Sequence, residues 1–250
     1  MLHALGIIPA RYASTRLPGK PLLELGGKSI IQRVVEQARQ AHLSRVVVAT
    51  DDERILNHVW AFGGEAVMTS PTHPSGTDRV FEAYQQLNTP VDCIVNIQGD
   101  EPFIHPAQIN ALLALFEDDA TTQIGTLVKP VVSEEELLSP HLPKVVLNTR
   151  ADALYFSRHP LPYQRQYPQA EWLHHHRYLR HIGLYAYRPA VLADLTQLVP
   201  SPLEVAESLE QLRWLEHGYR IRTAETTLET IGIDTPEDML RAVNQLGVGS

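Results

Sequence analysis

Short apolar runs alternate with amphipathic helical stretches along the first half of this chain, and that alternation constrains the fold more than any other feature. Residues 5–9, 45–50, 64–68 and 91–97 read as strands, and residues 30–41, 53–62, 77–87 and 106–116 read as helices. In the first of these helices Ile30, Ile31, Val34, Val35 and Ala38 fall on one face. Apolar runs without polar alternation belong to strands covered on both faces, and strands separated by helices are parallel. The pattern therefore specifies an α/β fold on a mixed, mostly parallel sheet with helices on both faces. The second half is less regular. Strands are expected over 123–131, 145–147, 153–157, 182–187 and 220–226, and helices over 203–216 and 236–246, the last opened by Asp234-Thr235. Residues 159–176, rich in Pro, Gln, His and aromatics, read as an excursion from the sheet, because Pro160, Pro162 and Pro168 exclude a long regular element there. With 250 residues, 44% of them hydrophobic, residues 1–250 can form one large domain.

The turn after the first strand is Arg11-Tyr12-Ala13-Ser14-Thr15-Arg16-Leu17-Pro18-Gly19-Lys20. Three cations, a hydroxyl pair and a Pro-Gly break at the carboxyl end of a strand are the layout of a loop that wraps a polyanion, and a nucleoside triphosphate suits it. The charge distribution agrees: the first 50 residues carry seven Lys or Arg against two Glu, while the whole chain is −8. An acidic chain with one cationic end is a poor partner for nucleic acid, which requires a basic face, and suits one small, highly charged ligand. Two familiar phosphate motifs fail. Leu22 stands where a P-loop ending in Gly27-Lys28-Ser29 requires glycine, and the first turn has no glycine before Gly19, which removes the dinucleotide fingerprint. The single cysteine, Cys93, excludes an intrachain disulfide and fits a reducing cytosol. No apolar run reaches the roughly 18–20 residues that cross a bilayer, so a cytoplasmic protein without membrane insertion is expected.

Gln98-Gly99-Asp100-Glu101-Pro102 follows the strand at 91–97. A carboxylate there, beside a glycine that permits close backbone approach, is placed to hold a hard cation that bridges phosphates, which makes Asp100 a candidate metal ligand. Gly232-Ile233-Asp234-Thr235-Pro236-Glu237-Asp238 offers a second acidic turn, although Asp-Thr-Pro-Glu is equally an ordinary helix start. Pairing Asp234 with Asp100 suits Mg²⁺, which takes one or two protein carboxylates and completes its shell with water and phosphate oxygens. His174-His175-His176 is not read as a metal site. Adjacent residues on a helix point about 100° apart and cannot converge on one ion, so these are surface or interface residues.

Together with Val46-Val47-Val48-Ala49-Thr50-Asp51, Ser75-Gly76-Thr77-Asp78-Arg79, Ala153-Leu154-Tyr155-Phe156-Ser157-Arg158, Leu179-Arg180-His181-Ile182-Gly183-Leu184-Tyr185, Ser201-Pro202-Leu203-Glu204 and Leu209-Glu210-Gln211-Leu212-Arg213, these segments closely resemble the family of 3-deoxy-manno-octulosonate cytidylyltransferases, in order along nearly the whole chain. The first motif is shared with other sugar nucleotidyltransferases, whereas those of the second half are more specific. The resemblance implies the Rossmann-like fold of nucleotide-diphospho-sugar transferases, with residues 1–120 mainly binding CTP and residues 121–220 mainly binding sugar and dimerising. It implies a reaction in which CTP and the keto-sugar acid Kdo give CMP-Kdo and pyrophosphate with Mg²⁺, in a homodimer that supplies lipopolysaccharide synthesis. On this resemblance Lys20, Asp100 and Asp234 are catalytic, with both carboxylates on the metal. Ala10, Arg11, Ser14, Arg16, Lys20, Ser75 and Arg79 bind the nucleotide, while Ser75 also suits a helix cap. Gln98, Arg158, Arg165, His181, Tyr185, Glu210 and Gln211 bind the sugar, whose carboxylate and hydroxyls call for a cation and hydrogen-bonding groups of both kinds. Two further functions fit these residues: activation of another acidic sugar, such as sialic acid or 8-amino-Kdo, and a non-catalytic nucleotide-sugar sensor on the same fold. The chain departs from the family pattern at Leu228-Glu229-Thr230-Ile231-Gly232, just ahead of Asp234.

Overall fold

The computed structural model describes residues 2–13 and 17–248. The chain divides into two compact units, Met1–Asn110 with Glu229–Ser250, and Ala111–Leu228. Among the described residues no helix is long and apolar enough to cross a membrane.

In the first unit the strand Ala4–Ala10 runs between Arg45–Thr50 and Cys93–Asn96, and Ala66–Met68 pairs with the far side of Arg45–Thr50, all four parallel. The apolar runs form these strands because both of their faces are covered: Leu5, Ile7, Ile8, Val47, Val48, Ile94 and Val95 are buried. Parallel strands present their carboxyl ends along one edge, so the loops that leave Ala10, Thr50, Met68 and Asn96 lie together there. The helix Ile30–Ala38 buries Ile30, Ile31, Val34, Val35 and Ala38, and its cap Ser29 accepts a hydrogen bond from the Gln32 N–H at 3.2 Å. The helix Gly76–Leu87 opens the same way. Ser75 Oγ accepts from the Asp78 N–H at 3.2 Å, so this serine fills the capping role that the sequence left open beside nucleotide binding.

One element of the first unit was not expected. Glu24–Leu25 and Lys28–Ser29 form a small antiparallel hairpin through Gly26 and Gly27, whose φ values of 58° and 77° are those a two-residue hairpin turn requires. Two-residue strands are too short to show periodicity. The closing helix, Pro236–Val248, belongs to this same unit, where Ile233 and Ala242 pack with Leu25 and Ile30 in one buried cluster.

In the second unit the strand Ile124–Pro130 pairs in parallel with Ile221–Glu225 and antiparallel with Leu179–Tyr187, which in turn pairs with Lys144–Leu147 and through it with Ala153–Ser157. The excursion over 159–176 packs onto neighbouring parts of its own unit. Trp172 and Tyr178 join Val131 and Leu137 in a buried cluster, the Trp172 indole N–H donates to Tyr167 O at 3.0 Å, and the Tyr178 hydroxyl donates to Pro162 O at 2.7 Å. His174 and His175 end the short helix Trp172–His175; His175 stacks on Tyr167 with 3.5 Å between centroids, while His176 packs edge-on against Tyr178. His175 and His176 thus pack on different rings, and His176 already lies beyond the helix in extended backbone.

The single helix expected over 203–216 is instead two, Pro202–Glu207 and Gln211–Glu216, broken at Ser208, whose φ is 52°. Arg158 supplies the reason. Its Nε donates to Glu207 O at 2.7 Å and its Nη2 to Ser208 O at 3.1 Å, so carbonyls that a continuous helix would satisfy internally are taken by a distant guanidinium. A third bond, from Nη1 to Pro140 O at 2.8 Å, fixes the group, and the Glu207 carboxylate accepts from Ser157 Oγ and from the Arg158 N–H at 2.6 and 2.9 Å. Arg158→Ala is therefore expected to cost about 2–3 kcal/mol, the range for losing charged hydrogen bonds while leaving carbonyls without donors. Urea unfolding checks this, and an unchanged midpoint would show that the guanidinium does not hold the break.

Candidate active site

A cleft of about 480 Å³ opens in the first unit at the carboxyl edge of its strands. Ala10, Arg11, Lys20, Arg79, Gln98, Asp100 and Asp234, all singled out in the sequence, line it together with Gly76 and Gly99. Each arrives by a short path from a strand end or helix start: Ala10 ends the first strand, Gln98 to Asp100 follow Cys93–Asn96, and Arg79 stands in the first turn of Gly76–Leu87. Lys20 opens a 3-10 turn, Lys20–Leu22, after Gly19 at φ 69°. Ser14 and Arg16 lie outside the described residues.

The centre of the cleft is an ion-paired triad. Lys20 Nζ donates to Asp100 Oδ2 at 2.6 Å and to Asp234 Oδ1 at 2.9 Å, joining positions 80 and 214 residues apart in the chain. The Lys20 side chain is 13% exposed, Asp100 30% and Asp234 47%, so the ammonium is the most shielded member. Burial by itself would lower the Lys20 pKa. The Asp100 carboxylate, and after it Asp234, outweigh burial and hold it above the ordinary value. The two acidic turns are also fastened backbone to backbone, since the Ile233 N–H donates to Asp100 O at 2.9 Å. This bond anchors Ile233, between Asp234 and the stretch where the chain departs from the family pattern. Asp238 secures the turn from the other side: its Oδ2 accepts from the Asp234 and Thr235 N–H groups at 3.1 and 2.9 Å.

Asp51 and Thr69, which carried no assigned role, hold Arg79. Its side chain is 1% exposed, Nη2 donates to Asp51 Oδ2 at 2.7 Å, and Nη1 donates to Thr69 Oγ1 at 2.6 Å. Burial pulls the guanidinium below its ordinary pKa, and Asp51 opposes that. Asp51 directly follows the strand Arg45–Thr50, and that place at a strand's carboxyl end was the available signal.

In the second unit His181, Tyr185 and Glu210 come together. The His181 ring lies 5.2 Å from Tyr185 and 5.1 Å from Phe156, and its Nε2 is 3.0 Å from Thr126 Oγ1. Burial pushes the imidazole well below its ordinary pKa. Burial raises Tyr185, and the neighbouring Tyr187 and Glu210 add to this. Gln211 is 5% exposed and its buried Nε2 has no hydrogen-bond partner among the described residues. It opens the helix Gln211–Glu216 because of the break at Ser208, so Glu210 and Gln211 stand at a helix start instead of along an exposed face. Arg158 is engaged with backbone carbonyls, and Arg165 is exposed.

Comparison with known proteins decides the family. The profile described as Cytidylyltransferase matches residues 5–223. A 3-deoxy-manno-octulosonate cytidylyltransferase of Parabacteroides distasonis is 59% identical over 247 residues, covering 97% of this chain and 98% of its own. One of Cytophaga hutchinsonii is 56% identical over 245 residues, covering 97% of each. The chain belongs to the 3-deoxy-manno-octulosonate cytidylyltransferase family. The fold agrees: a solved CMP:2-keto-3-deoxy-manno-octonic acid synthetase, complexed with CTP, superposes with a TM-score of 0.92 at 45% identity, over 99% of this chain and all of that one. For a cytidylyltransferase, a cleft lined by Arg11, Lys20 and Arg79 carries positive charge that suits the phosphate oxygens of a nucleotide.

Proposed function

We propose that this enzyme transfers the cytidylyl group of CTP to Kdo, giving CMP-Kdo and pyrophosphate for lipopolysaccharide biosynthesis. The observation that carries the reading is the convergence of Lys20, Asp100 and Asp234 in one cleft at the strand ends of the first unit. The anomeric hydroxyl oxygen of Kdo forms a bond to the α-phosphorus, the bond from that phosphorus to the pyrophosphate oxygen breaks, and the hydroxyl proton passes to solvent water. Such a displacement is governed by alignment and by neutralising phosphate charge. Lys20 supplies a mobile point charge for the α-phosphate, and Arg11 supplies donors for the departing oxygens. Arg79, held by Asp51 and Thr69, is a fixed wall of the same cleft.

Mg²⁺ is the cofactor in this reading. Asp100 and Asp234 fit it, because each offers an oxygen to one and the same cation position, that of the Lys20 ammonium, and carboxylate oxygens suit a hard divalent ion. Among the described residues no larger group of His, Cys, Asp and Glu forms a metal site, so phosphate and water would complete the shell. Bound there, the ion would neutralise phosphate charge and make the attacking hydroxyl more acidic. Gln98, His181, Tyr185, Glu210 and Gln211, with Arg158 and Arg165, are assigned to the sugar acid. The same reading carries a cytoplasmic homodimer, which light scattering at twice the chain mass checks. Pyrophosphate release is the test of the reaction: CTP and Mg²⁺ with Kdo, 8-amino-Kdo or sialic acid in turn. Release with Kdo is expected, and turnover of sialic acid alone would overturn the substrate.

A further inference from the structure

We propose that the Lys20 ammonium and a divalent cation are alternative occupants of the Asp100–Asp234 carboxylate pair, so that the lysine must leave the pair before the metal binds. This rests on the assignment of the two carboxylates to the metal. Lys20 Nζ is bonded to one oxygen of each carboxylate, at 2.6 and 2.9 Å. A Mg²⁺-sized ion takes carboxylate oxygens at about 2.1 Å, and an ammonium nitrogen still bonded to the same two oxygens would lie beside it with like charge and no intervening ligand. One position cannot hold both.

The neighbouring chain allows the exchange as a movement of the side chain alone. The backbone of Lys20 is held on both sides: its N–H donates to Leu17 O at 3.2 Å, and its carbonyl accepts from the Leu23 N–H at 3.1 Å. Gly19 enters the turn in a left-handed conformation and Pro21 follows in the turn itself, with a fixed φ. Beyond the backbone, lysine has a four-carbon stem and three rotatable donors, so its charge can swing while its Cα stays. Phosphate oxygens in the same cleft are the alternative partners that draw it off the carboxylates. Nucleotide and metal then bind with positive coupling, because the phosphate that takes the lysine also opens the carboxylate pair, and such coupling is reciprocal. Without nucleotide, the lysine offsets one of the two carboxylate charges and disfavours stray divalent ions.

The competing arrangement leaves Lys20 in place and seats the metal on the outer carboxylate oxygens. In that case Lys20 weakens metal binding only through space, as any nearby cation does. Arg11 is the control, since it is a second cation lining the same cleft, whereas the ion pairs to the two carboxylates are made by Lys20. The experiment titrates Mn²⁺ into the full chain without nucleotide, followed by electron paramagnetic resonance, for the wild type, Lys20→Met, Arg11→Gln and Asp100→Asn. Direct exchange is expected to make Lys20→Met bind Mn²⁺ about tenfold or more tightly, against about threefold or less for Arg11→Gln, whose charge acts through water-screened distance. Equal gains in the two variants, or none at Lys20→Met, would overturn the exchange. Loss of Mn²⁺ binding in Asp100→Asn supports the metal assignment, while wild-type binding there overturns that assignment and the exchange with it. Thermal unfolding gives a second reading: added Mn²⁺ should raise the Lys20→Met transition further than that of the wild type, and an equal rise counts against exchange.

Discussion

Asp100→Asn is expected to lower turnover about a thousandfold or more while leaving the fold intact, the size of effect seen when a preorganised charge is removed at a reacting centre. Asparagine keeps the shape of the side chain and the capacity to bond one donor, so the difference is the charge. Lys20 would then lean on Asp234 alone, which at 47% exposure is the wetter and weaker of its two partners. A metal would likewise face one anionic carboxylate instead of two. Stability should change little, because a charge 30% exposed contributes modestly and its removal also relieves repulsion against Asp234. Pyrophosphate release measured beside thermal unfolding separates the two effects. Turnover within about tenfold of the wild type, in a variant of unchanged melting temperature, would remove Asp100 from the reaction.

Much of that centre is legible before any coordinates. Parallel strands covered on both faces must be apolar throughout, so the runs at Ala4–Ala10, Arg45–Thr50 and Cys93–Asn96 stand out, and the residues after them inherit the carboxyl edge. Asp100 and Arg11 are found by that logic. Asp234 is harder, since Asp-Thr-Pro-Glu also starts a helix; in the structure it does both, heading Pro236–Val248 and reaching Lys20. What stayed hidden depends on partners far away in sequence. The helix at 203–216 has the right periodicity throughout, yet Arg158, 50 residues before Ser208, claims the carbonyls at its middle. Asp51 and Thr69 acquire their task only once Arg79 is folded between them. The hairpin at Gly26-Gly27 was missed for a local reason: its strands are two residues long.

Gly99→Ala carries the second large effect, and here the cause is steric. A Cβ built on Gly99 would stand 2.7 Å from the Pro9 carbonyl oxygen, 3.4 Å from Ile8 Cγ2 and 3.7 Å from Ile31 Cδ1. Pro9 cannot yield, because it sits in the central strand opposite Ala49, and Ile8 and Ile31 are fully buried. Relief must come from the turn at 98–100, which carries Asp100 and, through Asp100 O, the Ile233 N–H that fastens the other acidic turn. The substitution should cost about 2–3 kcal/mol as an overpacked contact. Turnover should fall on the order of a hundredfold, because moving a reacting group by even about 1 Å forfeits its alignment. Gly76→Ala is the matched stability control: its Cβ would meet Pro9 Cγ at 3.6 Å, an ordinary contact, and the urea midpoint should hardly move. If Gly99→Ala unfolds and turns over like the wild type, the strand and the acidic turn have room that this geometry denies them, and the close approach of backbone to backbone is not what sets the position of Asp100.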